Sequence, residues 1–153
     1  MFVVTLRCEH SCPYCQVSRQ STDRSLFDMT EETAQRALAI TLQSPSSRIK
    51  IEFQGGEPLL NFPLIQKIVE AAKREAPAKG KEVEFVIASN LALLTDDILS
   101  FCKANGVSLS TSLDGPPDLH NRNRPRPGGN SHELAAKASR RLGQPWGLIA
   151  SAR

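Results

Sequence analysis

The sequence lacks any long apolar run and any strong excess of charge. Its apolar start, Met1 to Leu6, runs straight into Arg7 and is too short for a signal peptide or a membrane span. The formal net charge is only +3 over 153 residues, well below what nucleic-acid or membrane-surface binding favours. We therefore expect a cytoplasmic protein with no nucleic-acid partner and no membrane association.

Cysteine is also scarce, because the chain contains only four, yet three of them fall within eight residues. This crowding favours a metal site in a reducing compartment over a disulfide framework. Cys102 stands alone in a helical pattern, and we predict that it is a small core residue. The length suits about one domain.

Short apolar, β-branched runs alternate four times with helical patterns. The predicted strands are Phe2–Leu6, Ile49–Phe53, Val83–Ala88 and Val107–Leu113. The predicted helices are Glu31–Gln43, Pro63–Ala76, Asp96–Ala104 and a last one from Ser131 to about Leu142. Polar loops follow the first strand and, as Pro116–Asn130, the fourth. This cadence predicts an α/β fold with right-handed crossovers and a parallel sheet.

Unusual polar and glycine residues follow each predicted strand. Cys8 follows the first strand, Gly55-Gly56-Glu57 the second, Asn90 the third and Asp114 the fourth. Parallel sheets bind ligands outside the carboxyl ends of their strands. We therefore expect all of these residues to serve one site.

The cysteines form a C-x3-C-x2-C motif at Cys8, Cys12 and Cys15. Thiolates at this density suit either an iron–sulfur cluster or zinc. An ordinary [4Fe–4S] cluster takes four cysteines, so three would leave one iron open for a substrate. A zinc site that includes His10 is the alternative, although one residue between Cys8 and His10 is tight for two ligands.

With Tyr14 before its last cysteine, this motif resembles the signature of the radical S-adenosylmethionine (SAM) superfamily. In that family, three cysteines bind three irons of a [4Fe–4S] cluster and SAM chelates the fourth. Reductive cleavage of SAM then yields a 5′-deoxyadenosyl radical that abstracts hydrogen from the substrate. The resemblance implies Cys8, Cys12 and Cys15 as cluster ligands and Tyr14 against the adenine. It also implies an electron donor such as flavodoxin or ferredoxin.

The segment Gln54–Pro58 is similar to the GGEP motif of the same family. Alone, a glycine pair is most often a turn, although it also lets the backbone approach a ligand closely. The resemblance implies that Gly55, Gly56 and Glu57 contact the methionyl amino group of SAM.

Two further segments, Ser89-Asn90 and Ser110–Pro116, resemble the positions that hold the SAM ribose and carboxylate. The implied contacts are Asn90, Ser112 and Asp114, with Ser110 a weaker candidate. By itself, Asp114-Gly115-Pro116 is typical of a plain turn.

The loop beyond the fourth strand is similar to an H-D-x-x-R pattern in peptide- and protein-modifying members of the family. It begins at His120 and has Asn121 in place of the acidic residue. Arg122, Arg124 and Arg126 are candidates to contact a SAM carboxylate or an acidic peptide. A solvated basic loop is the alternative interpretation.

Three segments resemble the His-Xaa-Ser system radical SAM maturases, which are related to anaerobic sulfatase-maturating enzymes. They are Cys15–Gln20, Glu52–Phe62 and Ser112–Pro116, within a resemblance that covers roughly Val3–His132. It implies modification of a ribosomally made peptide with His-Xaa-Ser repeats, and leaves the bond formed and the catalytic residues unknown. A radical SAM enzyme acting on a small molecule and a non-enzymatic zinc-binding or interaction module are the alternatives.

Such enzymes have a partial TIM barrel of six βα units, of which residues 1–142 supply about four. We expect residues 143–153 to be an irregular tail, truncated or frame-shifted, and we find no cysteines for auxiliary clusters. A parallel sheet without its last two strands leaves an apolar edge uncovered. We therefore expect a fragment that is marginally stable and inactive alone.

Overall fold

The computed structural model describes residues 1–17 and 23–142, whose strands form one four-stranded parallel sheet. The strands are β1 (Phe2–Thr5), β2 (Arg48–Gly55), β3 (Glu82–Ala88) and β4 (Val107–Ser110). They pair in the order β1-β2-β3-β4, and every neighbouring pair is parallel. Each connection therefore leads to the adjacent strand, which is the winding of a βα barrel. The predicted α/β fold class is confirmed.

Six α-helices connect or follow the strands within the described residues. They are α1 (Arg24–Phe27), α2 (Glu31–Thr41), α3 (Phe62–Glu75), α4 (Asp96–Asn105), α5 (Pro117–Asn123) and α6 (Ser131–Arg141). Short 3-10 helices, Pro58–Asn61 and Pro77–Lys79, flank α3. Thr30 and Thr95 are the N-caps of α2 and α4, because each side chain accepts a hydrogen bond from the backbone amide of the third residue of its helix. Gly106, at φ +67°, ends α4 in the left-handed conformation that glycine tolerates.

The core lies between the sheet and the helices. The rings of Phe2, Phe53 and Phe85 lie next to one another on three adjacent strands, with centroid separations of 6.2 and 6.5 Å. Helix α3 buries an apolar face that includes Leu64, Ile65, Ile68, Val69 and Ala72. Cys102 is only 2% exposed in this core, as predicted.

Three predictions of local structure are wrong. Strand β4 ends at Ser110 rather than Leu113, because its pairing with β3 ends where β3 itself ends, at Ala88. The predicted polar loop after β4 contains helix α5. Its Pro117 lies in the first turn, where a backbone N–H would have no partner within the helix, so proline is tolerated there. The polar loop after β1 likewise contains the single turn α1, which Asp23 caps.

Within the described residues, no helix is both long and apolar enough to cross a bilayer. The tail predicted at residues 143–153 lies outside the residues that the structure describes.

Candidate functional site

The carboxyl ends of the strands surround a cavity of about 190 Å³. It is lined by Cys8, His10, Cys12, Tyr14, Cys15, Gly56, Ala88, Ser89, Asn90, Ser110, Thr111, Ser112 and Arg124. Segments following all four strands therefore meet here, as the parallel topology predicts. Of the predicted site residues, Gly55, Glu57 and Asp114 are not part of this lining.

The three cysteines of the motif are free thiols on the loop that leaves β1, here called the cluster loop (residues 7–15). Cys8 and Cys12 are half-buried and Cys15 is exposed. Burial raises the pKa of Cys8 to about 12, and the nearby carboxylates of Glu9 and Glu57 act in the same direction. A bound metal must therefore displace a tightly held proton from Cys8. The His10 amide already donates a hydrogen bond to Cys8 Sγ at 3.4 Å, which favours the thiolate.

The cluster loop is anchored at its start and at its middle. Arg7 Nε and Nη2 donate to the two carboxylate oxygens of Asp28 at 2.7 and 2.8 Å, and Nη2 also donates to the Leu60 carbonyl. Farther along, the Ser11 amide donates to the Pro125 carbonyl at 2.8 Å. The ligand-bearing loop is thus tied both to the segment that follows β2 and to the loop after β4.

The glycine pair allows two backbones to touch. A Cβ on Gly55 would lie 2.0 Å from the Thr5 oxygen, and one on Gly56 would lie 2.3 Å from the Arg7 oxygen. The amides of Gly56 and Glu57 donate to these same two oxygens, at 2.9 and 2.8 Å. Gly56 lines the cavity as expected, but the contact that requires glycine is with the cluster loop.

Glu57 occupies an internal position rather than the cavity surface that the sequence resemblance implies. Its side chain is fully buried, and Oε1 accepts hydrogen bonds from the Leu59 amide and the Ser89 hydroxyl, both at 2.9 Å. Its Oε2 accepts the Asn90 amide at 2.8 Å. Burial raises the pKa of Glu57 to about 7. Glu57 therefore joins the end of β2 to the end of β3, where contact with a SAM ammonium group was expected.

Asn90 lines the cavity, but its side-chain amide already has protein partners. Nδ2 lies 2.9 Å from Glu9 Oε1, to which it donates, and 2.8 Å from His10 Nδ1. Oδ1 accepts the Ala92 amide at 2.8 Å. The Asn90 side chain, predicted to bind SAM, therefore also holds the cluster loop.

Tyr14, Asp114 and Arg124 form a contact group at the cavity rim. The Tyr14 hydroxyl donates to Asp114 Oδ2 at 2.7 Å, and Arg124 Nε donates to Asp114 Oδ1 at 3.0 Å. The Arg124 guanidinium also lies 5.5 Å from the centre of the Tyr14 ring. Burial tends to raise the pKa of Asp114, but the bonds from Tyr14 and Arg124 hold it below its ordinary value. Tyr14 is 51% exposed and lines the cavity, so it is accessible to a ligand.

Residues 2–150 match the family described as the Radical SAM superfamily, which accounts for nearly the whole chain. The chain belongs to this superfamily. The cofactors expected from the sequence, a [4Fe–4S] cluster and SAM, are those of radical SAM proteins, and solved structures of similar fold contain AdoMet.

Curated relatives of this radical SAM chain are considerably longer. An uncharacterized protein of Methanocaldococcus jannaschii is 34% identical over 73% of this chain and 37% of its own length. The radical SAM cyclopropyl synthase TigE of Paramaledivibacter caminithermalis is 28% identical, over 77% of this chain and 27% of its own length. The cysteine-type anaerobic sulfatase-maturating enzyme of Clostridium perfringens is 26% identical, over 76% of this chain and 32% of its own length. The chain therefore spans about a quarter to two-fifths of each of these relatives.

Two solved structures show the same radical SAM fold. Native anSMEcpe with bound AdoMet has a TM-score of 0.76 and 24% identity, over 90% of this chain and 38% of its own. Native anSMEcpe with bound AdoMet and Cp18Cys peptide has a TM-score of 0.74 and 24% identity, over 90% of this chain and 38% of its own. At these identities the similarity establishes the fold alone.

The radical SAM cavity contains a hydroxyl that sequence reasoning did not select. Thr111 Oγ1 is buried without a hydrogen-bond partner among the described residues. Unpaired buried hydroxyls are costly, so a ligand that bonds to Thr111 would remove a penalty. The signal in the sequence was the hydroxyl run Ser110-Thr111-Ser112 directly after the strand. Three free thiols for a soft metal and an unpaired hydroxyl for a polar ligand together fit the cofactors of the family.

The position where the H-D-x-x-R pattern has an acid serves as a helix cap. Asn121 Oδ1 accepts hydrogen bonds from the Ser131 hydroxyl and the His132 amide, both at 2.9 Å, at the start of α6. An ionic interaction is therefore not needed there, because a neutral amide oxygen satisfies the helix terminus. Among the candidate arginines, Arg124 lines the cavity, Arg122 is exposed and Arg126 donates to Asn130.

A larger cavity, of about 800 Å³, lies beside the edge strand β4 rather than at the radical SAM site. Among the described residues that line it, Cys102 is the one cysteine. We assign the site to the smaller cavity, because the three cysteines and the strand-end polar groups converge there.

Proposed function

We propose that this chain is the SAM-binding core of a radical SAM enzyme that modifies a peptide. The observation that carries the proposal is the convergence of three free cysteines on one loop with polar groups after β3 and β4, around a single cavity. Within the family, such a cluster bound with SAM supplies the radical that abstracts hydrogen from the substrate.

In this proposal, Cys8, Cys12 and Cys15 hold the cluster, with an electron donor such as flavodoxin or ferredoxin supplying its electron. Tyr14 offers its exposed ring to the adenine, while Gly56, Thr111 and Ser112 offer polar groups to the rest of SAM. Arg124 is the cation placed for a carboxylate.

The remaining predicted SAM contacts take supporting roles. Gly55 and Glu57 hold the end of β2 against its neighbours, and Asp114 orients Tyr14 and Arg124. Direct SAM contacts of Gly55, Glu57, Asn90 and Asp114 stay a prediction from the sequence resemblance, beside these contacts within the protein.

The peptide substrate is inferred from relatives. They include sulfatase-maturating enzymes and an anSMEcpe structure with a bound peptide, which support a peptide as the substrate class. The His-Xaa-Ser repeat and the cytoplasmic location rest on the sequence resemblance and composition alone. Because the relatives are longer, the activity proposed belongs to a whole enzyme of which this chain carries the SAM core.

Anaerobic reconstitution of the chain with iron and sulfide tests the cluster. We expect a brown, oxygen-sensitive protein with about four irons per chain. Cys8→Ser, Cys12→Ser and Cys15→Ser should each lose most of this iron, whereas Cys102→Ser, in the core, should retain it. Equal iron content in all four variants would contradict the assignment.

The second step is an assay for 5′-deoxyadenosine after reduction with SAM present, with and without a His-Xaa-Ser peptide. Robust turnover by the chain alone would contradict the expectation that the SAM core needs further sequence for activity. Product that depends on a small molecule rather than on the peptide would favour the small-molecule alternative.

One observation favours zinc as a second candidate. A sulfur of Cys8, a carboxylate oxygen of Glu9 and a ring nitrogen of His10 all lie within 4.8 Å of one another. Colourless protein with one zinc per chain would support this non-enzymatic alternative.

A further inference from the structure

We propose that Asn90 is a positioning residue that holds the cluster loop from the end of β3, with Glu9 as its main partner and Glu57 as its support. This inference rests on the proposed function, because it assigns the cluster to Cys8, Cys12 and Cys15. It concerns the protein environment of the ligands rather than the ligands themselves.

The Asn90 side chain has only one orientation compatible with its contacts. Oδ1 accepts the Ala92 amide at 2.8 Å, which leaves Nδ2 to face the cluster loop. Nδ2 then donates to Glu9 Oε1 at 2.9 Å and lies 2.8 Å from His10 Nδ1. An amide nitrogen can only donate, so the Glu9 carboxylate is its acceptor on this loop.

The residues that Asn90 contacts lie between the first two predicted ligands. Glu9 and His10 follow Cys8 directly, and the His10 amide donates to Cys8 Sγ. A displacement of Glu9 or His10 therefore moves Cys8 and alters a hydrogen bond to its sulfur. Bonds of this kind orient metal ligands and tune the metal they bind.

Glu9 has few other means of holding its position. Its Oε1 lies 3.2 Å from His10 Nδ1, while Oε2 is buried without a partner among the described residues. The Asn90 side-chain amide therefore determines where the Glu9 carboxylate lies beside Cys8.

The buried carboxylate of Glu57 holds the backbone of Asn90 in place. Its backbone amide donates to Glu57 Oε2 at 2.8 Å, and the neighbouring Ser89 hydroxyl donates to Oε1 of the same buried carboxylate. Glu57 is in turn held to the cluster loop by its own amide, which donates to the Arg7 carbonyl. The ends of β1, β2 and β3 are thus linked in a closed set of hydrogen bonds that passes through Asn90.

The test compares Asn90→Ala, Asn90→Asp and a control, Asn105→Ala, in the 153-residue chain. Asn105 is also a hydrogen-bonded asparagine, but it lies on α4 and bonds to Phe101 and Lys73, away from the cluster loop. Each protein is reconstituted anaerobically, and the visible absorbance of the cluster is followed after addition of an iron chelator. Thermal unfolding before reconstitution reports whether the fold itself is affected.

We expect both Asn90 variants to lose the cluster about tenfold faster or more, the usual effect of removing an outer hydrogen-bond partner of a metal site. Asn105→Ala should match the unsubstituted chain. Asn90→Asp should also lower the midpoint potential of the cluster relative to Asn90→Ala, because it adds a negative charge beside Glu9. Cluster lifetimes and potentials unchanged in both Asn90 variants would overturn the inference.

Two further results separate the inference from simpler causes. In a Glu9→Ala background, Asn90→Ala should have much less effect, because the two residues act through one contact. Full additivity would overturn the role of Glu9. If Asn90→Ala does not fold, Glu9→Ala alone still decides, since an unchanged cluster lifetime there contradicts the inference. Failure of the unsubstituted chain to bind a cluster would instead contradict the proposed function.

Discussion

The guanidinium of Arg7 pairs with the carboxylate of Asp28 through two hydrogen bonds, of 2.7 and 2.8 Å, immediately before the first predicted cluster ligand. Asp28 Oδ1 also accepts the Thr5 hydroxyl at 2.6 Å. Both members of the pair are largely shielded from water, so the interaction is screened less than a surface ion pair. These protein contacts fix the start of the cluster loop without help from a cofactor.

Asp28→Asn should lower the free energy of unfolding by about 2–3 kcal/mol at neutral pH, because it removes charged hydrogen bonds to a buried arginine. Burial tends to raise the pKa of Asp28, but Arg7 and Thr5 hold it below the ordinary value of 3.8. Its contribution is therefore fully present above about pH 4 and is lost as the pH falls through the folded-state pKa. Denaturant unfolding between about pH 7 and pH 3 measures this.

The control for this change is Glu70→Gln, which neutralises an exposed carboxylate on α3. It should alter stability by less than about 0.5 kcal/mol. If Asp28→Asn were no more destabilising than Glu70→Gln, the ion pair would not anchor the loop.

Gly56→Ala should destabilise the chain by about 1–3 kcal/mol and impair cluster loading, since the new methyl group meets the Arg7 carbonyl at 2.3 Å. Gly80→Ala provides the comparison, because its Cβ meets nothing within 4 Å and only the positive φ is penalised. We expect Gly80→Ala to cost about 1–2 kcal/mol while leaving iron content unchanged. Equal iron content in the two variants would show that the close contact is not needed for the site.

Asn121→Ala should lower the free energy of unfolding by about 1 kcal/mol, because the first turn of α6 loses the oxygen that caps it. Asn121→Asp should be at least as stable as the unsubstituted chain, since a carboxylate at a helix N-terminus contributes about 0.3–1 kcal/mol. Thermal unfolding distinguishes the three proteins. Loss of stability in Asn121→Asp as large as in Asn121→Ala would contradict a capping role.

Thr111→Val should weaken SAM binding about tenfold while leaving the stability of the free chain unchanged or slightly improved. The hydroxyl is buried without a partner among the described residues, so removing it relieves a penalty in the free protein. A hydrogen bond to SAM through the same atom would be worth about 1 kcal/mol or more. Isothermal titration of the reconstituted protein measures the affinity.

The matched control is Thr41→Val, which removes a hydroxyl that bonds to the Ala37 carbonyl on α2, away from the cavity. SAM affinity should not change there. Unaltered affinity in Thr111→Val would remove Thr111 from the proposed SAM contacts.

The amino-acid sequence by itself was enough to predict the parallel α/β fold, the three cysteines and the strand ends that meet around them. These features follow from local patterns: apolar periodicity specifies the elements, and the winding rule then brings the carboxyl ends of the strands to one edge. Helix α5 was missed because the contacts that bury it, such as the packing of His120 against His132 on α6, come from outside the helix itself. Patterns within one short, Pro- and Arg-rich segment do not show them.

Only the tertiary structure decided which protein groups the polar residues at the strand ends contact. Glu57, Asn90 and Asp114, each predicted to touch SAM, form hydrogen bonds with protein groups from other segments of the chain. The same polar side chain can serve a ligand or a neighbouring loop, and burial together with the available partners determines which. For the three cysteines of the motif, spacing alone indicated a metal, whereas the anchoring of their loop by Arg7, Glu57 and Asn90 depends on contacts formed only on folding.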